Sequence, residues 1–114
     1  METAARDALK QRVQEIVDEM AERLIEISHT IHANPEIAFE EYASMALLAD
    51  TAEAAGMAVE RGIAQLPTAF MATSKCAQPG PTVAVLAEYD ALPGLGHACG
   101  HNIIGTSALG AALA

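Results

Sequence analysis

Residues 5–33 carry the longest regular pattern in the chain. Leu9, Val13, Ile16, Met20, Leu24, Ile27 and Ile31 recur at steps of three and four, the period at which side chains stack along one face of an α-helix. Arg6, Lys10, Arg12, Glu15, Asp18, Glu19, Glu22 and Arg23 fill the positions between them. The spacing predicts one long N-terminal amphipathic helix with a single apolar stripe. Asn34-Pro35 ends it, because a proline ring disfavours helical geometry at the residue before it. Such a stripe has to be covered. Packing on a core does this, and so does a heptad seam against another helix, which leaves a non-catalytic helical interaction module as an alternative reading.

A second helix is expected from Pro35, or a few residues later, to about Ala55, with Gly56 as its stop. Its apolar side would include Phe39, Tyr42, Ala46 and either Leu48 or Ala49. Beyond Gly56 the texture changes. "MAVERGI" and "TAFMATS" are short β-prone stretches, and "KCAQPGP" is turn chemistry built on Pro79-Gly80-Pro81. "TVAVLAEY" follows, apolar on both faces until Glu88, the pattern of a central strand covered on both sides. From Ile103 the chain is small-residue-rich and helix-prone, with Asn102 placed as an N-cap. The expected class is α/β, part of a mixed sheet flanked by helices. At 114 residues there is room for one domain.

Six Lys plus Arg against fifteen Asp plus Glu give a net charge of −9. That charge repels nucleic-acid phosphates and anionic membrane surfaces, so neither is an expected partner. No run of eighteen apolar residues is present to form a membrane helix. Residues 1–15 are charged and polar throughout, without the apolar segment of a secretory leader. Cys76 and Cys99 could pair, but in that context a reduced, cytoplasmic protein is expected.

The chain is 52% hydrophobic, yet "LAEYDALPGLGHACGHN" (86–102) gathers two acids, two histidines and a cysteine. The loop lies where a strand ends and a helix begins, the place where open α/β sheets bind ligands. Glu88 and Asp90 are two apart, as are His97, Cys99 and His101, so in extended backbone each set points to one side. Thiolate, imidazole and carboxylate are ligands for zinc, manganese or cobalt. A structural zinc site lacks a second ligand pair. A Cys99 nucleophile at a helix N-terminus, with His97 or His101 as base, is a further reading from the residues alone, as is plain packing.

"EYDALPGLGHACGHN" resembles the signature of the metal-dependent amidohydrolases and peptidases of peptidase family M20. That family includes aminoacylases, indole-acetyl-amino-acid hydrolases and aminobenzoyl-glutamate hydrolases. Tyr89 and the Pro-Gly-Leu-Gly before His97 are most similar to a dipeptidase-like branch. "IHANPEIAFEEYAS" is similar to the family's early His-x-x-Pro-Glu segment, and "PGPTVAVLAEYDALP" to its strand and turn. The resemblance covers roughly residues 23–114.

The resemblance implies that Cys99 and His101 are ligands of a centre of two divalent ions (zinc or manganese, with cobalt open). It implies that Asp90 orients a metal-bound imidazole. His97 takes at most a supporting role. Glu88 stands where relatives carry Asp or, in other branches, a ligand histidine, and is not assigned to the metal; Asn102 replaces a common Asp. The implied reaction is hydrolysis of an amide in an N-acyl amino acid or dipeptide-like small molecule. The implied general base is a glutamate of a downstream Glu-Glu pair, and no acid follows His101. Residues 1–114 are therefore expected to be the N-terminal part of an incomplete zinc-peptidase-like catalytic domain, without its remainder or the smaller lid domain, and inactive alone. Homo-oligomerisation of the complete protein stays open.

Overall fold

The computed structural model describes residues 2–114. Helix α1 runs Thr3–Ala33, 31 residues, close to the span that the apolar stripe predicts. Its backbone ends at Asn34, whose N–H donates to the Ile31 carbonyl and whose side chain donates to the Thr30 carbonyl. Only the C-terminal half of the stripe is buried. Ile27 and Ile31 lie in the core, while Leu9 and Val13 face solvent. Exposed i,i+3 pairs, Arg12–Glu15 and Arg23–Glu26, line the polar face; each contributes only a few tenths of a kcal/mol, ~0.3–0.5.

The second helix is shorter than expected. Helix α2 spans Tyr42–Ala54, and residues 35–41 form an irregular connection instead. Two contacts hold that connection away from helix. The Glu36 carbonyl accepts the Ala91 N–H at 2.7 Å, within a parallel bridge between Ile37 and Ala91. The Glu36 carboxylate turns back to accept the N–H groups of Ala43 and Ser44 at 2.9 and 2.7 Å, capping orphan donors at the start of α2. Phe39, expected on the helix face, is exposed with φ 69°. Leu48 and Ala49 are fully buried.

Strands β1 (Ala58–Arg61) and β2 (Phe70–Thr73) pair antiparallel, with Val59 opposite Ala72 and Arg61 opposite Phe70. Val59, Phe70 and Ala72 pack against the core, and Arg61 pairs with Asp50 of α2 at 2.7 Å. Helix α3 spans His101–Leu113 and lies along α1. An added Cβ at Gly110 would approach Leu24 Cδ1 to 3.0 Å, and one at Gly105 the Glu88 carbonyl to 3.1 Å; both glycines permit close packing. The core is Ile27, Ile31, Leu48, Ala52, Tyr89 and Leu109, drawn from all three helices and the 82–90 segment.

The mixture of helices and a sheet agrees with the expected α/β class, with two strands paired. The "TVAVLAEY" segment differs from its expectation. Residues 82–88 pair with no strand and are exposed throughout, Val83 at 81% and Leu86 at 85%. A strand apolar on both faces needs partners on both edges and cover on both faces, and β1 and β2 bond only to each other. The α3 start differs too. Gly100, with φ 82°, is the residue before the helix, and Asn102 lies buried inside the first turn. The Asn102 amide donates to Ser28 Oγ at 3.1 Å, tying α3 to α1 rather than capping its own helix.

Candidate metal centre

The loop is fixed at both ends. Ala91 is anchored to Glu36, as above. Leu92 and Gly96 exchange backbone hydrogen bonds at 3.0 and 3.1 Å, closing the Pro93-Gly94-Leu95 turn. A Cβ at Gly96 would stand 3.9 Å from Pro35, so this turn rests on the residue that ends α1's segment. Gly100 then reverses the chain through its positive φ, and its carbonyl accepts Ile103 and Ile104 N–H as α3 begins.

These constraints bring His101 back to the end of the extended segment. Its Nδ1 lies 2.7 Å from Asp90 Oδ1, and its Nε2 lies 3.2 Å from Glu88 Oε2. A carboxylate only accepts, so Nδ1 carries the proton shared with Asp90. This is the arrangement by which an outer carboxylate fixes the ring orientation of a metal-binding histidine. Nε2 faces the exposed carboxylate of Glu88. Cys99 is a free, exposed thiol two residues before His101, next to the N-terminus of α3.

His97 is buried, and neither ring nitrogen makes a hydrogen bond of good geometry, although the Ile31 backbone is near. Burial, with His32 and His101 close by, holds it below the ordinary histidine value, so it is neutral at pH 7. Its ring centroid is 6.2 Å from that of His32. Cys76 is exposed and free, far in sequence from the loop.

The structure thus joins Asp90 to His101, adds Glu88, leaves Cys99 as an exposed thiol two residues away in sequence and buries His97. Among the described residues no group of three or more His, Cys, Asp or Glu side chains is already placed to hold a metal ion. The fit lies in the donor chemistry: an imidazole held by a carboxylate, a free thiol at a helix start, and a second carboxylate at Nε2. The sequence paired Glu88 with Asp90 by their i,i+2 spacing without assigning it to the metal, and its carboxylate lies 3.2 Å from His101 Nε2. Glu36, which anchors the surrounding backbone, is the acid of the His-x-x-Pro-Glu segment, while Glu41 and Thr68 carried no motif signal of their own. A cleft of about 190 Å³ opens beside the carboxylates, lined by Phe39, Leu66, Thr68, Ala87 and Glu88.

The relatives found by sequence are hydrolases and peptidases. No family model matches the chain. It is 44% identical to human Xaa-Arg dipeptidase over 94% of its length and 27% of the relative's. It is 37% identical to a p-aminobenzoyl-glutamate hydrolase chain of Escherichia coli K12, over 90% of its length and 24% of that protein's. It is 31% identical to an N-acyl-L-amino acid amidohydrolase of Geobacillus stearothermophilus, over 82% of its length and 28% of the relative's. The chain belongs to the M20-type amidohydrolase and peptidase family. It spans about a quarter of the length of the curated relatives it matches.

Proposed function

We propose that residues 90–101 supply the thiolate and imidazole of a divalent-metal centre in an enzyme that hydrolyses an amide bond of a dipeptide or N-acyl amino acid. The observation that carries this is Asp90 on Nδ1 of His101 at 2.7 Å, with Cys99 two residues away. The relatives' names supply the substrate class. Cys99 and His101 would hold the metal, as zinc or manganese, with two ions in the complete enzyme. When bound, divalent metal polarises a scissile carbonyl and lowers the pKa of coordinated water.

The chain's own residues do the positioning. Asp90 fixes the imidazole plane and keeps its proton on Nδ1. Gly100 allows the reversal that sets Cys99 and His101 on the same end of α3. His97 is a buried ring beside His32. Asp90 is committed to Nδ1 of His101, so it is not free to take a proton from water. The carboxylate that does so is proposed to lie elsewhere in the enzyme, and the 114 residues alone are proposed to turn over nothing.

The other two readings find less support. No imidazole hydrogen-bonds to Cys99 among the described residues, and His101 Nδ1 is taken by Asp90, which gives less support to a thiol nucleophile with a histidine base. Helix α1 gives Ile27 and Ile31 to the core, so it is not a free-standing partner helix. The experiment is inhibition of the full-length enzyme on dipeptides. A chelator should abolish turnover and added Mn²⁺ or Zn²⁺ restore it. Activity that resists chelation but is lost on thiol alkylation would replace this reading with the cysteine one.

A further inference from the structure

Glu41 is a buried carboxylate, 8% exposed, and no cationic side chain pairs with it among the described residues. Burying such a group is costly unless its oxygens are satisfied, and here both are. Oε1 accepts the N–H of Phe39, and Oε2 accepts the hydroxyl of Thr68 at 2.6 Å. Thr68 is itself 4% exposed, and its carbonyl accepts the phenol of Tyr89. Tyr89 precedes Asp90. Burial, reinforced by the Glu41 carboxylate, pushes the Tyr89 phenol up to about 12, so the phenol remains a donor.

Each link therefore has a fixed direction. The carboxylate of Glu41 can only accept, which orients the Thr68 hydroxyl, and the phenol of Tyr89 donates to the Thr68 backbone. The first link also holds Phe39 in the left-handed region at φ 69°, a conformation that bulky residues rarely take and that persists where surroundings impose it. The chain of contacts runs from the 35–41 connection through the loop before β2 to the residue beside Asp90. The segment it secures, residues 82–88, has no strand partner to fix it.

We propose that Glu41 is a positioning residue for the Asp90–His101 pair, acting through Thr68 and Tyr89. This rests on the reading of that pair as part of the metal centre. With Glu41 in place, Tyr89 cannot rotate out of the core, and the Asp90 carboxylate stays on Nδ1 of His101. Without it, Thr68 loses its acceptor, and Asp90 becomes free to swing.

The test is the exchange rate of the His101 Nδ1 proton, observed in the full-length protein labelled with ¹⁵N-histidine and assigned by its loss in His101→Gln. Glu41→Gln and Thr68→Val should each accelerate exchange at least about tenfold, the size expected from weakening one charge-assisted hydrogen bond. Thr68→Ser, which keeps the hydroxyl, should restore the wild-type rate. Leu113→Ala serves as a control for general loss of stability and should leave the proton unmoved. Thr68→Val remains informative if Glu41→Gln does not fold. Wild-type exchange in folded Thr68→Val, or equal acceleration in Leu113→Ala, overturns the proposal. The parallel reading is checked by Co²⁺ absorption: no cobalt–thiolate band in the wild type, with His101 exchange still governed by Glu41, defeats the metal assignment and leaves the positioning link standing.

Discussion

His101 is held by a carboxylate on each ring nitrogen, and Glu36 shows the same economy at another site: one residue serves two elements. Its carbonyl binds Ala91, and its carboxylate caps α2. Burial acts to raise the Glu36 carboxyl, but the hydrogen bonds from Ala43, Ser44 and Tyr42 outweigh it and hold the value below the usual carboxylate range. A lowered folded-state value contributes stability that is complete above the unfolded value, about 4.3, and is lost as pH falls through the folded one. Glu36→Gln should therefore cost about 1 kcal/mol at pH 7, as for loss of a helix cap. That difference should shrink toward pH 2 in urea unfolding; a cost constant over this range would contradict the capping role. At this scale the Asp90–His101 contact was legible because both residues sit in one contiguous loop. Glu41 against Thr68 was not, because the fold brings together residues 27 positions apart. Asn102 misled because its side chain is used by Ser28, across 74 residues.

Among the elements, α1 was the most legible, since seven apolar residues at helical spacing leave little choice of structure. The 35–41 connection was not, because helix propensity there yields to the Ala91 bridge and the α2 cap, both tertiary. β1 and β2 form where β-prone runs flank a short connection. Segment 82–88 shows the limit of pattern reading: its residues specify a buried strand, but strand formation also requires neighbours. The glycines of α3 make a sharper test. A methyl at Gly105 meets the Glu88 carbonyl at 3.1 Å and Tyr89 Cβ at 3.2 Å, neither of which can yield without moving Asp90. At Gly110 it meets the end of the Leu24 side chain, which can rotate. Gly105→Ala should thus cost about 1–2 kcal/mol from overpacking, while Gly110→Ala should be near neutral, its better helix propensity offsetting the contact. Urea titration of both variants checks this, and equal stability of Gly105→Ala and wild type would show the approach to be looser than described.

At the scale of the whole molecule, the principal extents are 50 × 28 × 21 Å. The long axis is that of α1, since 31 residues at about 1.5 Å each span roughly 46 Å. The core occupies one end, and apolar residues of α1's first half and of segment 82–88 lie outside it. Exposed apolar surface with unpaired backbone favours association. In the isolated 114 residues, amides of 82–88 should exchange without protection while those around Ile27 and Leu48 are slowed. Protection across 82–88 in a monomer would mean that the segment finds a strand partner within the chain. No helix among the described residues is long and apolar enough to cross a membrane. The central claim is that Cys99 and His101 hold the metal that an amide-hydrolysing enzyme uses. Metal content and dipeptide turnover of full-length Cys99→Ala, measured beside wild type, test it most directly. Losing a direct ligand should exceed the ~10–100-fold cost of losing an outer partner, so the variant should lose most of its metal and fall at least about 100-fold in kcat/KM. A Cys99→Ala enzyme that keeps its metal and hydrolyses dipeptides at the wild-type rate would contradict it.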